Sequence, residues 1–408
     1  MLEAIVKRSA GLDVHKAMVV ATILFEKEDG ELEDVTREFK TFPKDLADLA
    51  NWLDDQKVES TVMETTGVYW KSVHQALEAK ELKVHVVNAR HIKQIPGRKT
   101  DIADSKWLAS LARFGLLKGS FIPPQDLRNL RLLTRYRIKL KCNIASEVNR
   151  LHKILDDGGT RLGVVISDLQ GVSGQAIISG LIKGEHIDKL VSYLKGTTKK
   201  KREEVKACLS GNGLSRCHKS LLKKISDHIN YLQKECQNLE EEIFTAMQPY
   251  KDQWQVLQTI PGIDALTAAV IIAEIGVDMQ RFGTSEQFCS WAGMCPGNNE
   301  SAGKRKSGKT RKGPPVLRST LCEVANSAVK TRSQFKGYYQ GLVIRRGHKR
   351  AVFAAGHKVL RVVFYLLTTN KGYTDPKINY EELAVKRNAP RWVKALTKYG
   401  YMPEVKAS

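Results

Sequence analysis

Ser9-Ala-Gly-Leu-Asp-Val-His-Lys-Ala-Met-Val-Val-Ala-Thr-Ile-Leu-Phe25 is the stretch whose reading decides the fold. It is dense in β-branched and apolar residues and broken once, at His15-Lys16, so it predicts two strands folded back on each other. A single acid, Asp13, stands inside the first of them. Residues 33–42 predict a third strand. Pro43 then opens an amphipathic helix with Leu46, Leu49, Trp52 and Leu53 on one face. Further on, 59–65 predicts a strand, 68–80 a helix, 82–88 a strand, and about 101–114 a helix. Three strands followed by alternating helices and strands imply an α/β layer with a mixed sheet over residues 1–124.

The chain then changes character. Leu140, Ile144, Val148, Leu151 and Leu155 recur at helical spacing, and Leu222, Ile225, Ile229, Leu232, Cys236, Leu239 and Ile243 alternate steps of three and four. That is the pattern of a coiled-coil seam, closing either within one chain as an antiparallel hairpin or between two copies. Between the two runs, residues 157–215 are rich in Gly and Lys and predict an inserted subdomain of a helical region spanning 125–250. The third region, 251–408, is expected to be mainly helical, making the fold class α/β plus all-α. In it, Pro261-Gly262-Ile263 separates two apolar helical stretches. This is either a helix-hairpin-helix, whose glycine turn and helix start would accept a phosphate, or an ordinary helical corner. Residues 286–300 and 314–335 predict helices on either side of a basic loop.

Charge narrows the function. The 408 residues hold 66 Lys and Arg against 44 Asp and Glu, net +22. Residues 1–125 are nearly neutral, while 301–361 carry 16 basic residues and one acid, Glu323. Such a segment repels itself unless anions neutralise it, which points to nucleic acid and away from a small-molecule metabolic enzyme. The longest apolar runs, Ala265–Ala273 and Val359–Leu367, are interrupted by Thr267 and Arg361 and fall short of the ~20 residues of a span. The opening MLEAIVKRSA has no apolar signal-peptide core, and the seven scattered cysteines form no C-x-x-C. The expectation is a cytoplasmic protein with no membrane partner, no zinc knuckle and no disulfide framework.

Two groups of residues could carry chemistry. Asp13 lies in a strand, Glu64 at the end of another, and Asp101 and Asp104 three apart at a helix start, on one helix face. Singly, each reads as a cap, a turn acid or a strand end. Jointly they could meet at one sheet edge and hold two Mg²⁺ ions on a phosphodiester. Arg98 and Lys99, just ahead of the pair, would meet a phosphate backbone. The second group is Ser301 with Lys304, Arg305, Lys306, Lys309, Arg311 and Lys312, and with Arg318 beyond. A serine beside a carboxylate and clustered cations could attack a phosphodiester, or be an ordinary loop serine. Gly303–Thr310 matches the P-loop pattern literally, but Pro296-Gly297 precedes it and Gly313-Pro314-Pro315 follows, so it lacks the flanking strand and helix.

These motifs, in this order, resemble the DEDD transposases of the insertion-sequence 110 family. The matching stretches are Gly11–Lys16, Glu64–Tyr69, Lys99–Ser105, Ile260–Ile263, Trp291–Pro296 and Glu300–Gly303, and the resemblance runs from about residue 10 to 370. It implies a RuvC-like, RNase H-type N-terminal domain with Asp13, Glu64, Asp101 and Asp104 as its acids, and a C-terminal transposase domain whose serine is Ser301. It further implies a recombinase guided by a noncoding bridge RNA that pairs with donor and target DNA. Strands would break through a phosphoserine intermediate, at a composite site shared between subunits of a dimer that assembles to a tetramer on DNA. The residues alone leave two alternatives: a metal-only, Holliday-junction-type endonuclease, and a non-enzymatic DNA-binding protein.

Overall fold

The computed structural model describes residues 4–402 apart from 28–29, 66, 88–100, 118, 212 and 298, and the backbone alone at Asp101, Asn299, Arg305, Glu381 and Ala384. The chain forms two compact units, residues 1–122 and 123–408.

The first unit is built on one sheet. Its strands are β1 (Arg8–Val14), β2 (Met18–Glu26), β3 (Leu32–Lys40), β4 (Ser60–Glu64) and β5 (Val84–Val87). They lie in the order β3-β2-β1-β4-β5. β2 runs antiparallel to both β1 and β3, while β1, β4 and β5 are parallel, so the sheet is mixed. The helices are α1 (Pro43–Asp55), α2 (Trp70–Glu78) and α3 (Asp101–Arg113). Side chains alternate across the sheet. Ala10, Leu12 and Val14 of β1 and Met63 of β4 join Leu46, Leu49, Trp52 and Leu53 of α1 and Val73 and Leu77 of α2 in one core. Val62 and Val87 point the other way, to Leu108 and Ala112 of α3.

The α3 face is unusually close. Ser9 Oγ donates to the Ala109 carbonyl at 2.9 Å, and Thr22 and Ser105 share a hydroxyl–hydroxyl bond at 2.7 Å. A Cβ on Gly11 would lie 2.0 Å from the Ser105 carbonyl oxygen and 2.4 Å from Ala109 N. Glycine is required there because a helix backbone rests directly on the strand.

The second unit is mainly helical. α4 (Gln125–Asp157) and α9 (Arg216–Ala246) are its long helices, and α5 (Leu162–Val165), α6 (Val172–Lys183), α7 (Ile187–Ser192) and α8 (Arg202–Leu209) lie between them. Arg137 pairs with Glu240, Glu147 with His228 and Asp157 with His218, so α4 and α9 run antiparallel. The spaced residues Leu222, Ile229, Leu232, Cys236 and Leu239 are buried against α4 and the short helices of the same chain. Of the two partners that the spacing allowed, the seam takes the one in its own chain, an antiparallel hairpin with α4. The short helices share a core with the ends of both long ones, where Leu162, Ile177, Leu190 and Val205 meet Leu151, Leu155 and Leu222.

The remainder holds α10 (Lys251–Gln258), α11 (Ala265–Ile275), α12 (Ser285–Trp291), α13 (Pro315–Ala328), α14 (Gln334–Arg346), α15 (His348–Thr369) and α16 (Tyr380–Lys398). α11 is the central core helix, buried from Ala268 to Ile275. Its buried Glu274, 1% exposed, takes a two-pronged bond from Arg135 of α4 at 2.8 and 3.0 Å. Arg131 of α4 adds bonds to the carbonyls of Ala273 and Glu274. α15 is long and apolar enough to cross a membrane by length and composition, and half of its apolar window is buried in the unit. The run Val359–Leu367 read from the sequence is only part of this helix, and Arg361, which interrupts it, is exposed.

Candidate active site

β1 and β4 are parallel, with Gly11 opposite Val62 and Leu12 opposite Met63. The same register carried one residue on sets Asp13 beside Glu64, at the carboxyl ends of neighbouring strands about 4.8 Å apart. Asp13 shares a face with Gly11, and Glu64 with Val62, so both stand on the face covered by α3. Moving along β1 from Ser9 to Gly11 moves the contact back along α3 from Ala109 to Ser105. Two more strand residues advance about 6.6 Å, or roughly four helical residues. Asp13 therefore comes level with positions 101–104. By this count the positions of Asp101 and Asp104 fall near the carboxyl ends of β1 and β4, where Asp13 and Glu64 stand.

Asp13 is 15% exposed, and its Oδ2 lies 3.2 Å from His15 Nε2. Glu64 is half-buried and Asp104 exposed. Four carboxylates are the hard oxygen donors that Mg²⁺ selects, so the donor chemistry fits a divalent cation. Among the described residues, no three His, Cys, Asp or Glu side chains are gathered tightly enough to ligate a metal. The Asp101 side chain, and Arg98 and Lys99, lie outside the described residues.

In the second unit the basic loop folds differently from expectation. α12 ends at Trp291, and Asn299–Ser301 and Lys304–Ser307 pair as a two-stranded hairpin, β6 and β7. Ala302 and Gly303 form its tip with φ of 49° and 73°, the positive pair that a type I′ turn demands. Ser301 is paired with Lys304 next to this turn, so both side chains project from one face, and both are exposed. The register slips by one between Asn299 and Glu300, making Lys306 the extra residue of a bulge. Lys309, Arg311 and Lys312 are exposed beyond it, and the Arg305 side chain lies outside the described residues. The P-loop pattern is thus divided between a turn, a strand and a loop.

Three glycines fix the hairpin's base. A Cβ on Gly297 would lie 2.1 Å from the Lys309 carbonyl oxygen, on Gly313 2.0 Å from that of Ala292, and on Gly293 2.7 Å from that of Arg311. The return leg 309–313 is laid backbone against backbone on 292–297, which explains Gly293 of the Trp291–Pro296 motif and Gly297 just after it. Arg318 also holds this leg: it contacts Thr310 Oγ1 at 3.3 Å and lies over the Phe353 ring. Its guanidinium serves the loop's shape as well as its charge.

The turn at Gly262 has a packing explanation. Its φ is +90°, and a Cβ there would meet the Val324 carbonyl oxygen of α13 at 2.8 Å. The following helix start is capped by Asp264, whose Oδ1 accepts from Thr267 N at 2.7 Å. A carboxylate already occupies the place where a phosphate would be favoured, so the anion-binding reading of this corner loses its support. Glu274 with Arg131 and Arg135 is a structural cluster that sequence reasoning missed; an acid inside the apolar run 265–275 was the available signal.

A family profile for DEDD transposases of the IS110 type matches residues 10–158, and one described as transposase, IS116/IS110/IS902 family, matches residues 254–340. The transposase for insertion sequence element IS1111A from Coxiella burnetii is 30% identical over 138 residues, 33% of this chain and 38% of that protein. The transposase for insertion sequence element IS1328 from Yersinia enterocolitica is 24% identical over 153 residues, 36% of this chain and 45% of its own length. The matches thus span less than half the length of either curated relative. The Thermus thermophilus RuvC structure aligns over 28% of this chain and 99% of its own, at 16% identity with a TM-score of 0.23. RuvC of the same organism in complex with Holliday junction substrate covers the same shares at 15% identity, with a TM-score of 0.21. The two family profiles fall in chain order and together match more than half of the residues: this chain belongs to the IS116/IS110/IS902 family of transposases.

Proposed function

We propose that the protein is a divalent-metal-dependent DNA recombinase of an insertion sequence, guided by a noncoding bridge RNA, with an RNase H-like N-terminal domain. The observation that carries this reading is the register of β1 and β4, which sets Asp13 beside Glu64 on the face covered by α3. Asp13, Glu64, Asp101 and Asp104 would hold the cations, two Mg²⁺ per site in this reading. Bound there, they would polarise the scissile phosphate and stabilise charge on the leaving oxygen. Lys304, projecting beside Ser301, would hold the phosphate, while Lys306, Lys309, Arg311 and Lys312 bind the flanking backbone. Ser301 Oγ bonds to phosphorus as a phosphorus–deoxyribose oxygen bond breaks, and the departing oxygen takes the proton. The number of phosphoester bonds is unchanged, so the strand can be rejoined. The reading extends to donor and target DNA as substrates and to a homodimer that assembles to a tetramer, with acids and serine from different subunits.

The test is sequencing of the RNA that co-purifies with protein expressed beside its native flanking DNA, followed by trapping of covalent protein–DNA adducts. One discrete RNA, and an adduct abolished in Ser301→Ala, are expected. Random cellular RNA, with metal-dependent cutting of branched DNA undiminished in Ser301→Ala, would replace the proposal with a metal-only nuclease.

A further inference from the structure

A cleft of about 860 Å³ opens between α15, the start of α12 and the segment 371–376. Its volume is in the range of small-ligand sites, and no residue of the serine hairpin lines it. Its walls combine three cations, Lys358, Arg361 and Lys371, with the rings of Tyr365 and Tyr373. Arg361 and Tyr365 are four residues apart on α15 and so neighbour each other on one helix face.

The far wall is built and held. Tyr373 N donates to Thr259 Oγ1 at 2.7 Å, and its ring stacks on Phe335. The Tyr373 hydroxyl donates to Asp375 and accepts from Nε2 of Gln334, which is only 8% exposed. Asp375 also accepts from the backbone amides of Gln334 and Lys377, so its charge is spent on the wall. Lys358 is fixed too: its ammonium lies 4.9 and 4.6 Å from the Tyr338 and Tyr380 ring centroids and donates to the Tyr380 hydroxyl. Arg361 pairs with Glu286 at 3.2 Å, but both are mostly exposed, a pair that an incoming anion displaces at little cost. Against this order Tyr365 stands out, with 59% of its surface in solvent at the mouth of the cleft.

We propose that this cleft takes one unpaired nucleotide of a nucleic-acid strand, with the base stacked on Tyr365 and its phosphates on Arg361 and Lys371. The chemistry is that of single-strand binding: an aromatic platform beside cations that track a backbone. A base still paired in a duplex cannot enter, because its faces are covered by its neighbours, so the cleft selects for strands that are open. This deepens the nucleic-acid reading above and rests on it. The nucleotide could belong to DNA opened during strand exchange or to an RNA.

The test uses the full-length protein and oligonucleotides of one sequence, as single-stranded DNA, single-stranded RNA and duplex DNA, each with one 2-aminopurine. Binding of a single strand is expected to quench the probe. Tyr365→Ala should weaken single-strand binding about five- to 150-fold, the loss of one stacked base, and leave duplex binding unchanged. Tyr365→Phe, which keeps the ring, should bind as wild type. Lys371→Gln should lower the salt dependence of single-strand binding by about 0.7, one phosphate contact. Stronger quenching with DNA or with RNA assigns the source of the nucleotide. Equal losses on single strand and duplex, or no loss on either, would overturn the proposal. Failure of the wild-type protein to bind any nucleic acid would instead overturn the functional reading beneath it. Tyr365 is exposed, so its replacement does not threaten the core.

Discussion

Replacing Gly11 by alanine tests the geometry on which the acidic site depends. The new methyl carbon would lie 2.0 Å from the Ser105 carbonyl oxygen, 2.4 Å from Ala109 N and 2.8 Å from Leu108 Cβ. Two of these are backbone atoms of α3, so no side chain can turn aside. Restoring an ordinary contact of 3.4 Å requires α3 to retreat by about 1.4 Å. Overpacking of this kind costs ~1–3 kcal/mol, and the rigid neighbours place it at the upper end. For a unit of this size that lowers the melting temperature by roughly 10 °C. The same retreat carries Asp101 and Asp104 away from Asp13 and Glu64, and a misplacement of ~1 Å costs a reaction about 100-fold. Thermal unfolding of the full chain and single-turnover strand cleavage at saturating Mg²⁺ measure the two effects. Gly11→Ala melting within about 2 °C of wild type would refute the packing argument. A lowered melting temperature with an unchanged cleavage rate would refute the idea that α3 must sit against β1 for the acids to work together.

Other consequences concern the second unit. Glu274→Ala strands Arg131 in a largely buried position and should cost ~2–3 kcal/mol, a value reduced because Arg135 is half-exposed, read as a lower urea midpoint at unchanged slope. Gly297→Ala sets a methyl 2.1 Å from the Lys309 carbonyl oxygen and should detach the return leg of the hairpin; proteolysis within 303–313 should accelerate while the helical core melts as before. Gly341 sits in α14 with open space where a Cβ would go, so Gly341→Ala should be neutral or stabilising by up to ~1 kcal/mol in thermal unfolding. Burial and the Asp375 carboxylate push the Tyr373 phenol up to about 12 from 10.0. Its folded form holds the proton more tightly than the unfolded chain, so this contribution is complete below pH 10 and is lost as pH rises through 12. Tyr373→Phe should flatten the fall of stability over that window in urea titrations at stepped pH.

The first unit was legible because its signals are local. Strand runs, the Pro43 helix start and the α1 stripe follow from a period of two or 3.6 along the chain, and each element formed within a residue or two of its expected place. The acids could be singled out by type and position. Their convergence could not, because it depends on the parallel register of β1 and β4 and on the direction of α3, which are contacts between residues far apart in sequence. The seam of α9 shows the same division. Its spacing announced a buried apolar stripe, but an α-helix presents the same stripe to any partner, and only the tertiary structure settles that the partner is α4. Gly262 fitted either a phosphate-binding turn or an ordinary helical corner, and its packing on α13 and the helix start capped by Asp264 favour the second. In the basic loop, charge obscured a hairpin: Lys304–Ser307 has no apolar alternation, and its strand exists through the Ala302-Gly303 turn and backbone stacking on Gly293 and Gly297. By itself, then, the sequence determined the elements, the charge asymmetry and the residues fit for phosphodiester chemistry, since these depend on side-chain type and short-range period. The tertiary structure alone decided which of them share an edge, a seam or a cleft, since burial and register are properties of pairs of segments.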